Sequence, residues 1–251
     1  MTILRVATYN VHGHKGADGK IVPERTFEVV RRLRADCVAL QELVNAPAPT
    51  GEPLLEQWAR RLGMHAAYAP AFERGGEEFG NALLTRWPIV EQRAHDTSLR
   101  GYRSRVVLEA LVAADGVTLQ LMSLHLGVSP RERALQAQRL FELCSSTRGD
   151  VHLLLGDFNE WSRFSAVSRR LRTHFDGTRQ VSTFPSWAPV VGLDRVWVHP
   201  RGCLLQTRVD ASPAARRASD HLPLVAMIDC SSPRVGVAAK GDSRSCYDPL
   251  P

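Results

Sequence analysis

The chain has 251 residues and five widely spaced cysteines with no CxxC pair, so it can bury a core unaided, and neither a disulfide framework nor a zinc knuckle is indicated. Its net charge of +6 is almost all arginine, Lys15, Lys20 and Lys240 being the only lysines. Arginine forks suit phosphate oxygens and anionic membrane surfaces, yet no basic block interleaved with aromatics marks a nucleic-acid patch. The start MTILRVATYN lacks a basic n-region, and no run approaches the roughly 18 apolar residues of a membrane span, which predicts a cytoplasmic protein without a transmembrane segment.

In chain order, Ile3 to Tyr9 reads as a strand ending at Asn10, followed by a polar loop at Val11–His14. Pro23 opens a helix with Phe27, Val30 and Leu33 on one stripe. Cys37 to Leu40 is a short strand ending in Gln41-Glu42, and Leu55 to Leu62 is a helix stopped by Gly63. Strands are predicted near 66–69, 81–85 and from Ile89. Asp115-Gly116 between 105–112 and 117–124 signals a hairpin. Ser129-Pro130-Arg131-Glu132 reads as a capping box opening a helix through Cys144. The run Val151 to Leu155 reads as a strand buried on both faces, ending in Gly156-Asp157-Phe158-Asn159. Phe164, Val167 and Leu171 mark a further helix, and 193–198, 204–209 and 222–228 are the last strands. Residues 231–251 read as a disordered tail after one domain over 1–230. Hairpins beside helices exclude a purely parallel sheet and predict two packed sheets flanked by helices.

Strand after strand ends or begins in a residue able to hold a metal or a phosphate: Asn10, Glu42, Asn81, His125, Asp157 with Asn159, Asp194, and Asp220-His221. Taken singly, each has an ordinary structural reading as a turn residue, a surface charge or a hydrogen-bonded histidine. Together they are harder to assign to structure alone, because strand ends are where a rigid scaffold presents functional groups. Arg103 and Arg105 precede a strand, where they are either solvated charges or phosphate ligands.

The stretches Thr8-Tyr9-Asn10-Val11-His12-Gly13, Leu40-Gln41-Glu42, Gly80-Asn81-Ala82-Leu83-Leu84-Thr85, Ser123-Leu124-His125-Leu126, Gly156-Asp157-Phe158-Asn159, Leu193-Asp194-Arg195-Val196 and Ser219-Asp220-His221-Leu222-Pro223 occur in this order. In that order and content the chain resembles the endonuclease/exonuclease/phosphatase (DNase I-like) superfamily, and within it small bacterial metal-dependent hydrolases. The resemblance implies an α/β fold, a four-layered α-β-β-α sandwich of two packed mixed sheets. It implies cleavage of a phosphoester with Mg²⁺ or Mn²⁺ as cofactor. By that resemblance Glu42 is the principal metal ligand assisted by Asn10, and Asp220 contributes to a second metal position. Asp157 is the general base and Asn159 holds the water or a phosphate oxygen. Asp194 and His221 form an orienting pair with His221 on the scissile phosphate. His125 contacts phosphate or protonates the leaving group, with Glu77 or Glu78 as its acid partner. Asn81, Arg103 and Arg105 are substrate-binding candidates.

The motifs do not name the substrate. A small or lipid phosphoester is expected, in the absence of added basic domains. A nuclease acting on DNA or RNA is the alternative, and a non-catalytic binding protein on the same scaffold the third reading.

Overall fold

The computed structural model describes residues 3–47, 51–145, 148–162 and 164–231; the predicted tail beyond residue 231 lies outside them. Strand β1 (Ile3–Asn10) turns Leu4 and Val6 to one face and Ala7 and Tyr9 to the other, all buried. Helix α1 (Pro23–Leu33) begins on its proline and buries Phe27, Val30 and Leu33. It returns the chain to β2 (Cys37–Val44), parallel to β1. Helix α2 (Leu54–Leu62) ends on Gly63, whose left-handed φ of 65° costs least in a residue without a Cβ. The hairpin of β3 (His65–Arg74) and β4 (Glu77–Thr85) extends well past its predicted segments, and β4 pairs antiparallel with β2.

After β5 (Ile89–Asp96) come β6 (Val106–Ala114) and β7 (Val117–His125). They are joined as predicted by Asp115-Gly116, both at positive φ (43° and 86°) as a tight right-twisted hairpin requires. The remaining elements are α3 (Pro130–Cys144), β8 (Val151–Asp157), α4 (Ala166–His174), β9 (Asp176–Gly177), β10 (Asp194–His199), β11 (Leu204–Val209), α5 (Pro213–Ala218) and β12 (Leu224–Asp229). One sheet runs β11-β12-β1-β2-β4-β3 and the other β5-β6-β7-β8-β10-β9. Each has one parallel pair, β1/β2 and β7/β8, so both are mixed.

Three apolar clusters define the layers. One lies between the sheets, one packs α1, α2 and α5 on the first sheet, and one packs α3 and α4 on the second. The order is therefore the expected α-β-β-α sandwich. The leucine run of β8 is buried on both faces as read: Leu153 and Leu155 enter the inter-sheet core and Leu154 faces the helices. Asp157 continues the inter-sheet register, which carries its carboxyl to the open edge of that core.

Three sequence readings are corrected, and one helix was not anticipated. Strand β2 does not end in Gln41-Glu42 but continues to Val44 through a bulge between Leu40 and Leu43. Phe164 is not helical: α4 is capped by Ser165, whose hydroxyl accepts from Ser168 N, so Phe164 stays in the loop. The capping box at Ser129 does not form. Ser129 makes no side-chain cap bond, and Glu132 is turned inward, buried, accepting from Gln136. The short helix α5 was not anticipated, because its PAARRA sequence carries no apolar stripe.

Candidate active site

The site forms where strand ends of both sheets meet. In the second sheet, register places His125, Asp157 and Asp194 side by side at the ends of β7, β8 and β10. Gly156 allows this: a Cβ there would stand 1.9 Å from the Leu124 carbonyl oxygen of the adjacent parallel strand. In the first sheet, Asn10 ends β1 and Glu42 sits in the β2 bulge at φ 54°. A bulge adds a residue and re-aims a side chain, and a glutamate at positive φ is a strained conformation held by its surroundings. Here it turns the Glu42 carboxylate into the gap between the sheets. Polar side chains bridge that gap. Asn10 Nδ2 donates to Asp157 Oδ2 at 3.1 Å, Gln41 Nε2 to Ser123 Oγ at 3.3 Å, and Asn81 Nδ2 to the Val106 carbonyl at 2.7 Å.

Asp157 is buried at the centre. Its Oδ1 accepts from Asn159 N at 2.9 Å, and its Oδ2 lies 3.5 Å from His125 Nε2 and 3.7 Å from His221 Nε2. The two imidazoles are in opposite protonation states. Burial and then the Arg105 charge lower His125 to about 3, so its ring is neutral. Asn159 Nδ2 donates to His125 Nε2 at 3.2 Å and to the Leu126 carbonyl at 2.9 Å. The His125 proton is therefore on Nδ1, facing Glu42 Oε1 at 3.7 Å. Burial alone would also lower His221. The charges of Asp194 and Asp157, and a 2.9 Å hydrogen bond to Asp194 Oδ2, lift it instead to about 10. Thr183 Oγ1 donates to the same Asp194 oxygen at 2.5 Å and holds the carboxylate in place.

Two groupings could hold a cation. Asp157, Asp194 and His221 have ligand atoms within 4.8 Å of one another, and His221 Nδ1 is bonded to Asp194 Oδ2 at 2.9 Å. Glu42 fits a hard cation. Its carboxylate is 13% exposed and accepts no hydrogen bond from any described residue, and Asn10 Oδ1, bonded to His12 N at 3.0 Å, keeps one lone pair.

Among the substrate-binding candidates, Arg105 is buried in a small cleft with Glu42, Phe72, Asn81 and His125, and its Nε has no hydrogen-bond partner among the described residues. Burial pulls its guanidinium down, opposed by the charges of Glu42, Glu132 and Asp157. Arg103 is exposed at the mouth, 4.6 Å over the Phe72 ring. Asn81 lies in the same cleft, but its NH₂ is spent on the Val106 and, at 3.5 Å, the Ser123 carbonyls. Asp220 stands at the rim, 3.4 Å from His12 Nδ1. Glu77 and Glu78 are not partners of His125. They are exposed on β4, and the carboxylates facing that ring are Glu42 and Asp157.

Two participants were missed. His12 reaches between Glu42 (3.8 Å) and Asp220 (3.4 Å) from a left-handed turn with His12, Gly13 and His14 at φ 48°, 57° and 62°. Its place two residues after Asn10, in the quoted stretch Thr8-Tyr9-Asn10-Val11-His12-Gly13, was the signal. Glu132 was read as a cap and instead points its charge toward Arg105.

Two mixed sheets enclosing a carboxylate, amide and imidazole cluster at their shared edge define a class of α/β-sandwich hydrolases. Residues 7–221 match the Endonuclease/Exonuclease/phosphatase family, and the chain belongs to that family, whose members hydrolyse phosphoester bonds. The uncharacterized protein YbhP of Escherichia coli (strain K12) is 28% identical over 244 residues, 89% of this chain and 95% of that protein. The endonuclease/exonuclease/phosphatase from Beutenbergia cavernae superposes with a TM-score of 0.74 at 21% identity, covering 90% of this chain and 71% of that one. D. rerio TDP2 complexed with single strand DNA product superposes at 0.70 and 17% identity, covering 91% and 100%.

Proposed function

We propose that this protein is a divalent-cation-dependent phosphodiesterase or phosphatase acting on a small or lipid phosphoester. The observation that carries the reading is the pairing of a buried Asp157, flanked by one neutral and one positively charged imidazole, with a Glu42 carboxylate that accepts no hydrogen bond from the described residues. Glu42 and Asn10 would hold Mg²⁺ or Mn²⁺, with Asp220 at a second position. The ion would supply charge neutralisation at the phosphoryl oxygen. Asp157 Oδ2 takes the proton of the attacking water, oriented by Asn10. The imidazolium of His221, fixed by Asp194, donates to a phosphate oxygen and offsets the charge that develops there. Neutral His125 and Asn159 position the water or a phosphate oxygen, and His125 is not the proton donor to the leaving group at neutral pH. Arg105 and Arg103 meet the phosphate from the cleft wall and mouth. Cys37, Cys144, Cys203 and Cys230, unpaired among the described residues, are compatible with a cytoplasmic setting, and no helix among the described residues is long and apolar enough to cross a membrane.

The test is hydrolysis of bis-p-nitrophenyl phosphate and p-nitrophenyl phosphate with Mg²⁺, Mn²⁺ or EDTA, for the wild type and Asp157→Ala. Diester cleavage that needs the metal and falls by about 10²–10⁴ in the variant is expected. Cleavage that persists in EDTA, or in Asp157→Ala, would sink the reading. A nuclease using the same site is the second reading, favoured by the acid-free, arginine-rich segment 97–105. A steep fall of activity on DNA with added salt would select it.

A further inference from the structure

Tyr102, Trp161, Phe164 and Trp187, 40–73% exposed, are the aromatics among the exposed large hydrophobic residues described, and all four lie on segments bordering the catalytic cleft. The topology puts them there. Residues 158–165 leave the end of β8, and residues 178–193 enter β10, whose first residue pairs with Asp157. Residues 126–129 leave β7 beside Asp157, and residues 97–105 lead into β6, antiparallel to β7. Val128 and Val190 stand on the same segments, 67% and 74% exposed. The rest of the exposed large hydrophobics are scattered singly: Val90, for example, is at the far end of the sheet, where β5 meets the last residues of β6.

Charge on these segments is mostly of one sign, with Asp220 standing separately at the rim beside His12 and Arg131 following at the start of α3. Arg100, Arg103, Arg131 and Arg179 are exposed around this rim. The single acidic residue on these segments, Glu160, is buried and neutralised by Arg133. Exposed apolar side chains and arginines on neighbouring segments are costly to leave in water and meet their complement on a surface both apolar and anionic.

We propose that this rim docks the protein on an anionic phospholipid bilayer, with the cleft facing the headgroup layer. The inference rests on the phosphoesterase reading of the cleft and deepens it: the ester presented there is a phospholipid headgroup. Indole and phenol rings combine an apolar body with a polar tip and settle at the headgroup level, while arginines are drawn to anionic lipid. The two valines decide between a membrane and a nucleic acid. An aliphatic side chain offers nothing to a phosphate and little to a stacked base, whereas acyl chains receive it.

The test is co-sedimentation with phosphatidylcholine vesicles, with and without phosphatidylglycerol, for the wild type, Trp161→Ala/Trp187→Ala and the control Val90→Ala. Binding that requires phosphatidylglycerol and falls about tenfold or more in the double variant is expected, with the control unaffected. Brominated acyl chains should quench tryptophan fluorescence in the wild type and not in the double variant, because Trp58, Trp87 and Trp197 are buried. Hydrolysis of soluble bis-p-nitrophenyl phosphate reports separately on the cleft and should survive in the double variant. Vesicle binding that is absent, or equal in wild type and double variant, would overturn the proposal even if the diester is cleaved. So would vesicle indifference combined with single-stranded oligonucleotide binding that the double variant loses.

Discussion

Glu42 shows a residue held in a conformation its chemistry does not favour. A glutamate at φ 54° is strained by about 1 kcal/mol or more, and only glycine occupies that region freely. Glu42→Gly should therefore leave the protein as stable or more so, by up to about 1 kcal/mol, while removing its affinity for Mg²⁺ or Mn²⁺. Thermal denaturation and metal titration by calorimetry check the two halves separately. A variant that unfolds at much lower temperature, or that still binds the ion, would show that the bulge serves another purpose. Gly156 has the opposite constraint. Gly156→Ala forces a methyl into the Leu124 carbonyl and should cost several kcal/mol by displacing β7 from β8, read as a fall in Tm with loss of activity.

At the scale of elements, α3 does more than cover the second sheet. Its Arg133 is buried and donates to Glu160 Oε1 at 2.5 Å and to the Gly127 and Val128 carbonyls at 3.3 and 2.5 Å. It thereby ties the segment after His125 to the segment after Asn159. Removing one partner of a buried ion pair costs about 3–5 kcal/mol, because the other charge is stranded, whereas replacing both by apolar groups can be neutral. Arg133→Met alone should destabilise by that amount, and Arg133→Met/Glu160→Leu should recover much of the stability but not the activity. Chemical denaturation with a parallel diester assay separates the outcomes. A single variant costing under about 1 kcal/mol would mean that the loops are held by their backbones alone.

Across the whole molecule, pH should act through histidines buried as neutral rings. His14 donates from Nε2 to the Val44 carbonyl, and burial lowers it to about 4; burial lowers His125 to about 3 and also lowers His152. The unfolded chain takes up these protons near pH 6.5 and the folded chain does not, so stability is lost as pH falls from about 6.5 toward 4. His14 alone should contribute roughly 3 kcal/mol to that loss. His221 acts on the other side: raised to about 10, it stabilises fully below about 6.5 and ceases to do so as pH climbs through 10. Melting temperatures at pH 5 and 7 should differ less in His14→Gln than in the wild type. An equal difference in the two proteins would exclude His14 as a source of acid sensitivity.

The strand ends bearing Asn10, His125, Asp157 and Asp194 were legible because local pattern carries them: an apolar run must stop where its side chains leave the core, and a polar residue there is visible in one dimension. Two packed sheets flanked by helices followed from hairpins lying beside helices, the α-β-β-α order from the family resemblance, and the hairpin at Asp115-Gly116 from its turn residues. What local pattern could not carry was decided by contacts between distant segments. The bulge at Glu42 depends on pairing with β4, the inward turn of Glu132 depends on the buried space beside Gly127 and Gln136, and the reach of His12 depends on a left-handed turn braced against β2. The different protonation states of His125 and His221 are of this kind too. Both are buried at strand ends, and only the tertiary structure sets Arg105 beside one and Asp194 beside the other. Sequence alone determined the strands, their order of polar ends and the family they resemble. The three-dimensional fold decided which of those ends carry protons, which could hold a cation and which face the arginine and aromatic rim, because electrostatics and strain depend on neighbours that the chain brings together only by folding.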